Sequence, residues 1–257
     1  MPHDARPYFW SNCCGGGFEW FVGDVDVEIP NPDPYPFWNL CKRFAWAWKP
    51  EHAPSRVWVK NAKVLSPSRT LQSGWKGLEK QGMCMLPGPV FLVSMATAEV
   101  LRRFDLGSCL LQEMPIWSKK DKAKLPIECC FFHISNQREV LVPLKKNGFS
   151  YNTNGFFGQV FYNLSLEEGN IAVKRDSKQG PDIWMDPIWG KGYFMSPGLA
   201  DALRGPGLEH CWDLHACRWA TEEERAEVVG PHTSFLYTQE GFLVAKAEAK
   251  ARGKNFF

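Results

Sequence analysis

The chain has 257 residues, with 30 Lys and Arg against 28 Asp and Glu, a formal net charge of +2, 44% hydrophobic residues and 23% charged residues. That balance excludes a highly charged, disordered chain, and a mean hydropathy of −0.31 without any long uncharged apolar run argues against a membrane-spanning helix. The length suits one large domain or two small ones, and the mixed order of charges offers no basic face for nucleic acid.

The opening MPHDARPYFW lacks a basic region followed by an apolar core, so a cytoplasmic protein is expected. Nine cysteines, among them the neighbours Cys13-Cys14 and Cys129-Cys130, fit that compartment, where most should be reduced and packed as small hydrophobes. Next, Asp24, Asp26 and Glu28 alternate with Val25, Val27 and Ile29, the pattern of a half-exposed strand with one acidic face. The proline-rich run Pro30 to Pro36 is a stiff connection. It leads to a predicted helix with Phe37, Leu40, Cys41, Phe44, Ala45 and Trp48 on one stripe, closed by Pro50.

Arg56-Val57-Trp58-Val59-Lys60 alternates as a strand does, while Leu71 to Gln81 is a weak helical stretch interrupted by Gly74 and Gly77. Strands are expected within 127–134 and 139–144, a Gly- and Asn-rich loop at 147–158, and further strands at Val160-Phe161-Tyr162 and Ile171-Ala172-Val173. Near the end, Thr221 and Glu224 have capping-box spacing, and 241–254 is helical by composition.

Two segments repeat one phrase. At a constant offset of 102, Ser94, Ala98, Leu101, Arg102, Leu106, Cys109 and Trp117 meet Ser196, Ala200, Leu203, Arg204, Leu208, Cys211 and Trp219, where chance pairing gives roughly two identities. In the first copy (90–117), Val90 to Val93 reads as a strand, Ser94 as an N-cap, and 96–104 as a helix ended by Gly107. In the second (192–219), Tyr193 to Met195 is the strand, Ser196 the cap and Pro197 the first helical residue, with Gly205-Pro206-Gly207 as the stop. Apolar segments at Cys109-Leu110-Leu111 and Cys211-Trp212 suit returning strands. The expected fold class is therefore α+β, with mixed sheets and two pseudo-repeated strand-helix-strand units. The expected organisation is an N-terminal region 1–85, a central α+β region 86–219 and a C-terminal helical segment 220–257.

Chemistry-bearing residues are sparse. His210, Cys211, His215 and Cys217 have poor zinc spacing unless Cys13 and Cys14 join them, and Cys13-Cys14-Gly15-Gly16-Gly17 lacks the Lys-Ser/Thr of a phosphate loop. Neither a catalytic residue, a metal nor a cofactor is expected. An enzyme built on a dispersed Cys/His or zinc site is the alternative reading. Twelve Trp and 18 Phe fit either a large-side-chain core or a binding face.

The motif Gly180-Pro181-Asp182-Ile183-Trp184-Met185-Asp186-Pro187, then Tyr193-Phe194-Met195-Ser196, Ala202-Leu203, Gly207-Leu208 and Cys217-Arg218, resembles the C-terminal signature of a family of bacterial immunity proteins encoded beside polymorphic toxins. Phe91-Leu92-Val93-Ser94, Phe104-Asp105-Leu106-Gly107 and Pro115-Ile116 are similar to its N-terminal half, so the resemblance spans roughly 86–219. It implies a cytoplasmic, non-enzymatic protein that binds and blocks one cognate toxin or effector, with neither nucleic acid nor membrane as partner. Such a binder needs aromatic anchors and a specific rim. The candidates are Trp10, Trp20 and Trp46 as anchors and Asp24, Asp26 and Glu28 as rim, whereas Trp48 sits on the apolar stripe and is expected in the core.

Overall fold

A computed structural model describes residues 6–11, 25–28, 55–59, 83–86, 90–147, 149–152, 159–162, 169–175, 180–186, 193–205, 212–227, 247, 250 and 251. They form a mixed arrangement of several small sheets and few helices, in keeping with an α+β protein. The first half contributes β1 (Phe9–Ser11), β2 (Val25–Glu28), β3 (Arg56–Val59), β4 (Met83–Leu86), β5 (Val90–Ser94), helix α1 (Met95–Leu101), β6 (Leu110–Glu113) and β7 (Ile116–Ser118). The second contributes β8 (Cys129–His133), β9 (Leu141–Val142), β10 (Phe149–Asn152), β11 (Gln159–Tyr162), β12 (Ala172–Val173), β13 (Ile183–Met185), β14 (Tyr193–Met195), helix α2 (Pro197–Leu203), β15 (Leu214–Ala216), β16 (Arg218–Trp219) and the short helix α3 (Glu222–Arg225).

Two four-stranded sheets carry the helices. One has the order β4-β5-β8-β6 and the other β13-β14-β1-β15, and every neighbouring pair in both is antiparallel. Because β8 separates β5 from β6, the strand before α1 and the strand after it run parallel with an antiparallel strand between them. The same holds for β14 and β15 around β1. Two three-stranded sheets accompany these, β2-β3-β7 and β9-β12-β16, each with one antiparallel and one parallel pairing. β10 and β11 form a separate hairpin. The residue-85 boundary expected from the sequence is crossed by four pairings, β1 with β14, β1 with β15, β3 with β7, and β4 with β5.

The helices begin where their local chemistry directs. The Ser94 hydroxyl accepts from the Thr97 amide at 3.2 Å, and the Ser196 hydroxyl from the Leu199 amide at 3.3 Å, each satisfying an amide that the first turn leaves without a partner. Pro197 occupies the start of α2, where its missing N–H is not needed. The first helix stops at Leu101, three residues before the predicted end, because the amides of Arg103 and Phe104 turn back to Val100 and Leu101 in tighter bonds.

Each helix buries one stripe. Ala98 and Leu101 of α1 and Leu199, Ala200 and Leu203 of α2 are sealed from solvent, the helices touch, and both pack on one core with Phe91, Phe132, Tyr193 and Trp212. Burial of a leucine of this kind contributes about 1.5–3 kcal/mol. The opposite face of β1-β14-β13 forms a second core, where Trp10, Trp184 and Phe194 meet Val140, Leu141, Ile171 and Val173.

Polar side chains join the two large sheets. Asn136 donates from Nδ2 to the carbonyls of Leu106 at 2.8 Å and Ile183 at 2.9 Å, while its Oδ1 accepts from the Ser108 amide at 2.9 Å and the Ser108 hydroxyl at 2.8 Å. Asp182 accepts from the Asp105 amide at 2.8 Å, and its own amide donates to the Asp105 carbonyl at 2.7 Å. Asp186, fully buried, accepts the amides of Val140 and Leu141 at 2.7 Å each.

Several expectations change. The loop expected at 147–158 contains β10, paired in register with β11 from Phe149 opposite Tyr162 to Asn152 opposite Gln159. The second returning strand begins at Leu214 instead of Cys211, since Trp212 lies in a helical turn and Asp213 takes a left-handed φ of 44° before the strand starts. The helices expected at 37–48 and 71–81 lie outside the described residues. The C-terminal segment is helical at Ala247, Lys250 and Ala251.

Candidate partner-binding surface

Among the described residues, a partly exposed aromatic grouping grows out of β3. Its alternation turns Val57 into the interior, with no solvent exposure, and leaves Arg56 and Trp58 half-buried on the other face. Register then supplies their neighbours: Glu28 lies opposite Arg56 and Asp26 opposite Trp58 on antiparallel β2, and Trp117 lies beside Trp58 on parallel β7. The acidic alternation seen in the sequence is thus brought alongside two tryptophans.

Side chains convert that register into one cluster. The indole rings of Trp58 and Trp117 are 5.6 Å apart and tilted by 48°. The Arg56 guanidinium lies 5.1 Å from the Trp117 ring and 5.7 Å from the Trp58 ring, within reach of favourable cation–π attraction to both. Glu28 accepts from Trp58 Nε1 at 2.6 Å and approaches Arg56 Nε at 3.3 Å, so one carboxylate holds both the indole and the guanidinium in place.

A fourth element comes from the loop after β7. Buried Ser118 accepts the Asp121 amide at 3.1 Å on its hydroxyl and donates to the Asp121 carboxylate at 2.7 Å, and its carbonyl accepts the Lys122 amide at 2.9 Å. Lys122 adopts a left-handed φ of 54° and sets its ammonium 5.4 Å from the Trp58 ring. One lysine of the basic run 119–124 is therefore aimed at an aromatic face. The result is an indole pair with a mixed-charge rim, an arrangement suited to docking on a protein.

The predicted site residues divide. Glu28 belongs to this cluster, and Asp26 is opposite Trp58 in register. Trp10 is corrected: it has no exposed surface, stacks on His215 at 5.0 Å and fills the second core, because β1 is an inner strand with a neighbour on each side. Trp20, Asp24 and Trp46 lie outside the described residues. Trp58 and Trp117 were not singled out by sequence reading, although the alternation of β3 already set Trp58 on the polar face with Arg56.

The alternative Cys/His chemistry also has a described part. His215 Nε2 and Asp213 Oδ1 are 3.0 Å apart, and His215 is covered by Trp10. Cys217 is buried beside Trp10, and desolvation raises its thiol well above the usual range, the opposite of what a nucleophile needs. Cys129 is likewise pushed up to about 12 by burial first and by neighbouring Cys130 second. Among the described residues no three His, Cys, Asp or Glu side chains are grouped to hold a metal ion. No described helix is long and apolar enough to cross a membrane. His210, Cys211, Cys13 and Cys14 lie outside the described residues.

Searches with family models, curated proteins and solved structures returned no match to this chain.

Proposed function

We propose that this protein is an immunity protein that neutralises a cognate bacterial toxin or effector in the cytoplasm by forming a stoichiometric protein–protein complex. The observation that carries the reading is the half-buried Trp58–Trp117 pair, held by Arg56, Lys122 and Glu28. Tryptophan and arginine supply most hot spots, and an indole already fixed by a hydrogen bond loses little freedom when a partner covers it. The motifs at 86–219 that resemble those of immunity proteins point to the same class. The scaffold beneath the surface consists of two related strand-helix-strand units, 90–117 and 192–219.

Co-expression with the polypeptide encoded beside this gene tests the reading. The expected result is restored growth and a complex of fixed stoichiometry on size-exclusion chromatography. Toxicity that persists with no complex formed overturns it.

A further inference from the structure

We infer that the chain is a duplication of one topological unit whose two copies have exchanged their first strands. This builds on the strand-helix-strand correspondence proposed above and is independent of the toxin-binding reading. If β1 to β7 are one copy and β8 to β16 the other, β4-β5-α1-β6 corresponds to β13-β14-α2-β15 in order and in direction. The accompanying sheets correspond too: β2 is antiparallel and β7 parallel to β3, as β9 is antiparallel and β16 parallel to β12. Trp117 and Trp219, matched by the sequence offset, fall on equivalent edge strands, each with an arginine guanidinium over its ring, at 5.1 Å and 5.4 Å. Among the described strands, only the hairpin β10–β11 has no counterpart.

The remaining pair is β1 and β8, and here the copies trade places. β8, the first strand of the second copy, lies between β5 and β6 of the first; β1, the first strand of the first copy, lies between β14 and β15 of the second. Their registers agree against the strand before each helix and differ by one residue against the strand after it. Phe132 sits opposite Phe91 and Leu111, and Ser11 sits opposite Tyr193 and Leu214, with Phe91 and Tyr193 related by the same offset of 102. Each inserted strand turns its central aromatic, Trp10 or Phe131, away from the shared core, and both are fully buried. Neither four-stranded sheet is complete within one half, so the halves cannot part without withdrawing an inner strand from each.

A protease recognition sequence inserted at the exposed turn between Lys120 and Asp121 allows the folded full-length chain to be cut between the copies. Mixing cut protein with an isotope-labelled cut sample, native mass spectrometry then follows the exchange of halves. Strand exchange predicts that halves trade no faster than the cut protein unfolds globally, and that both rates rise together with denaturant. Halves that trade at least tenfold faster than unfolding, with amides 95–101 and 197–203 still protected, overturn the exchange alone. Protection retained in one helix and absent from the other overturns the duplication. A second measurement needs no cut. In the intact chain, Trp10→Ala should speed amide hydrogen exchange at least tenfold first in 193–195 and 214–216, and Phe131→Ala first in 91–93 and 110–113; the reverse pattern overturns the proposal.

Discussion

Asn136 and Gly107 show how much one residue can fix. A Cβ on Gly107 would lie 2.6 Å from Asn136 Oδ1, and the backbone there has a left-handed φ of 54°. Gly107→Ala should therefore lower stability by about 1–2 kcal/mol from the backbone alone, with a further cost for displacing the amide, measurable by urea denaturation. Asn136→Ala leaves the carbonyls of Leu106 and Ile183 without that donor in a buried setting and should cost roughly 1–3 kcal/mol or more. The sequence made the caps Ser94 and Ser196 legible because capping depends on three or four adjacent residues. It did not separate Trp10 from Trp58, since which indole is covered depends on strands at the far end of the chain. Alternation placed Trp58 outward, but only the parallel pairing with β7 brought Trp117 beside it.

At the level of elements, the capping box of α3 is the clearest success of local reading. The Thr221 hydroxyl accepts from the Glu224 amide at 3.2 Å, and Glu224 accepts from the Thr221 amide at 3.1 Å. The Glu224 carboxylate also accepts both terminal nitrogens of Arg218 at 2.7 Å and pairs with Lys146 at 2.8 Å, links the sequence spacing does not disclose. Arg218 first and Lys146 second hold this carboxyl far below its usual value of 4.5. A depressed folded value means that the contribution is present above the ordinary carboxylate range and is lost as pH falls below it. Glu224→Gln should thus lower the melting temperature at neutral pH, and the gap from the unmodified protein should shrink as pH falls below about 4.5. A gap that does not change with pH would show that packing, not charge, is responsible. Glycines and asparagines flank β10 and give its sequence the look of a loop. Its pairing with β11, a tertiary partner beyond the loop signal, outweighs those local preferences.

The whole molecule rests on a core that both helices share. Leu101 and Leu203, the last residues of α1 and α2, have no solvent exposure, so Leu101→Ala and Leu203→Ala should each cost about 2–5 kcal/mol in denaturant titrations. Because the two lie in one packed cluster, the double variant should depart from the sum of the singles. What the sequence could not reveal at this scale was the position of β1 between β14 and β15, since no periodicity records a pairing between the two ends of a chain. That placement removed Trp10 from the candidate surface and left the cluster around Trp58. The most direct test of toxin binding through this surface is calorimetric titration of the protein and its Trp58→Ala variant with the polypeptide encoded by the adjacent gene. The account predicts a saturable complex that the substitution weakens by about 2 kcal/mol, roughly thirtyfold, with the circular dichroism spectrum unchanged. Equal affinity for the unmodified, Trp58→Ala and Trp117→Ala proteins would contradict it.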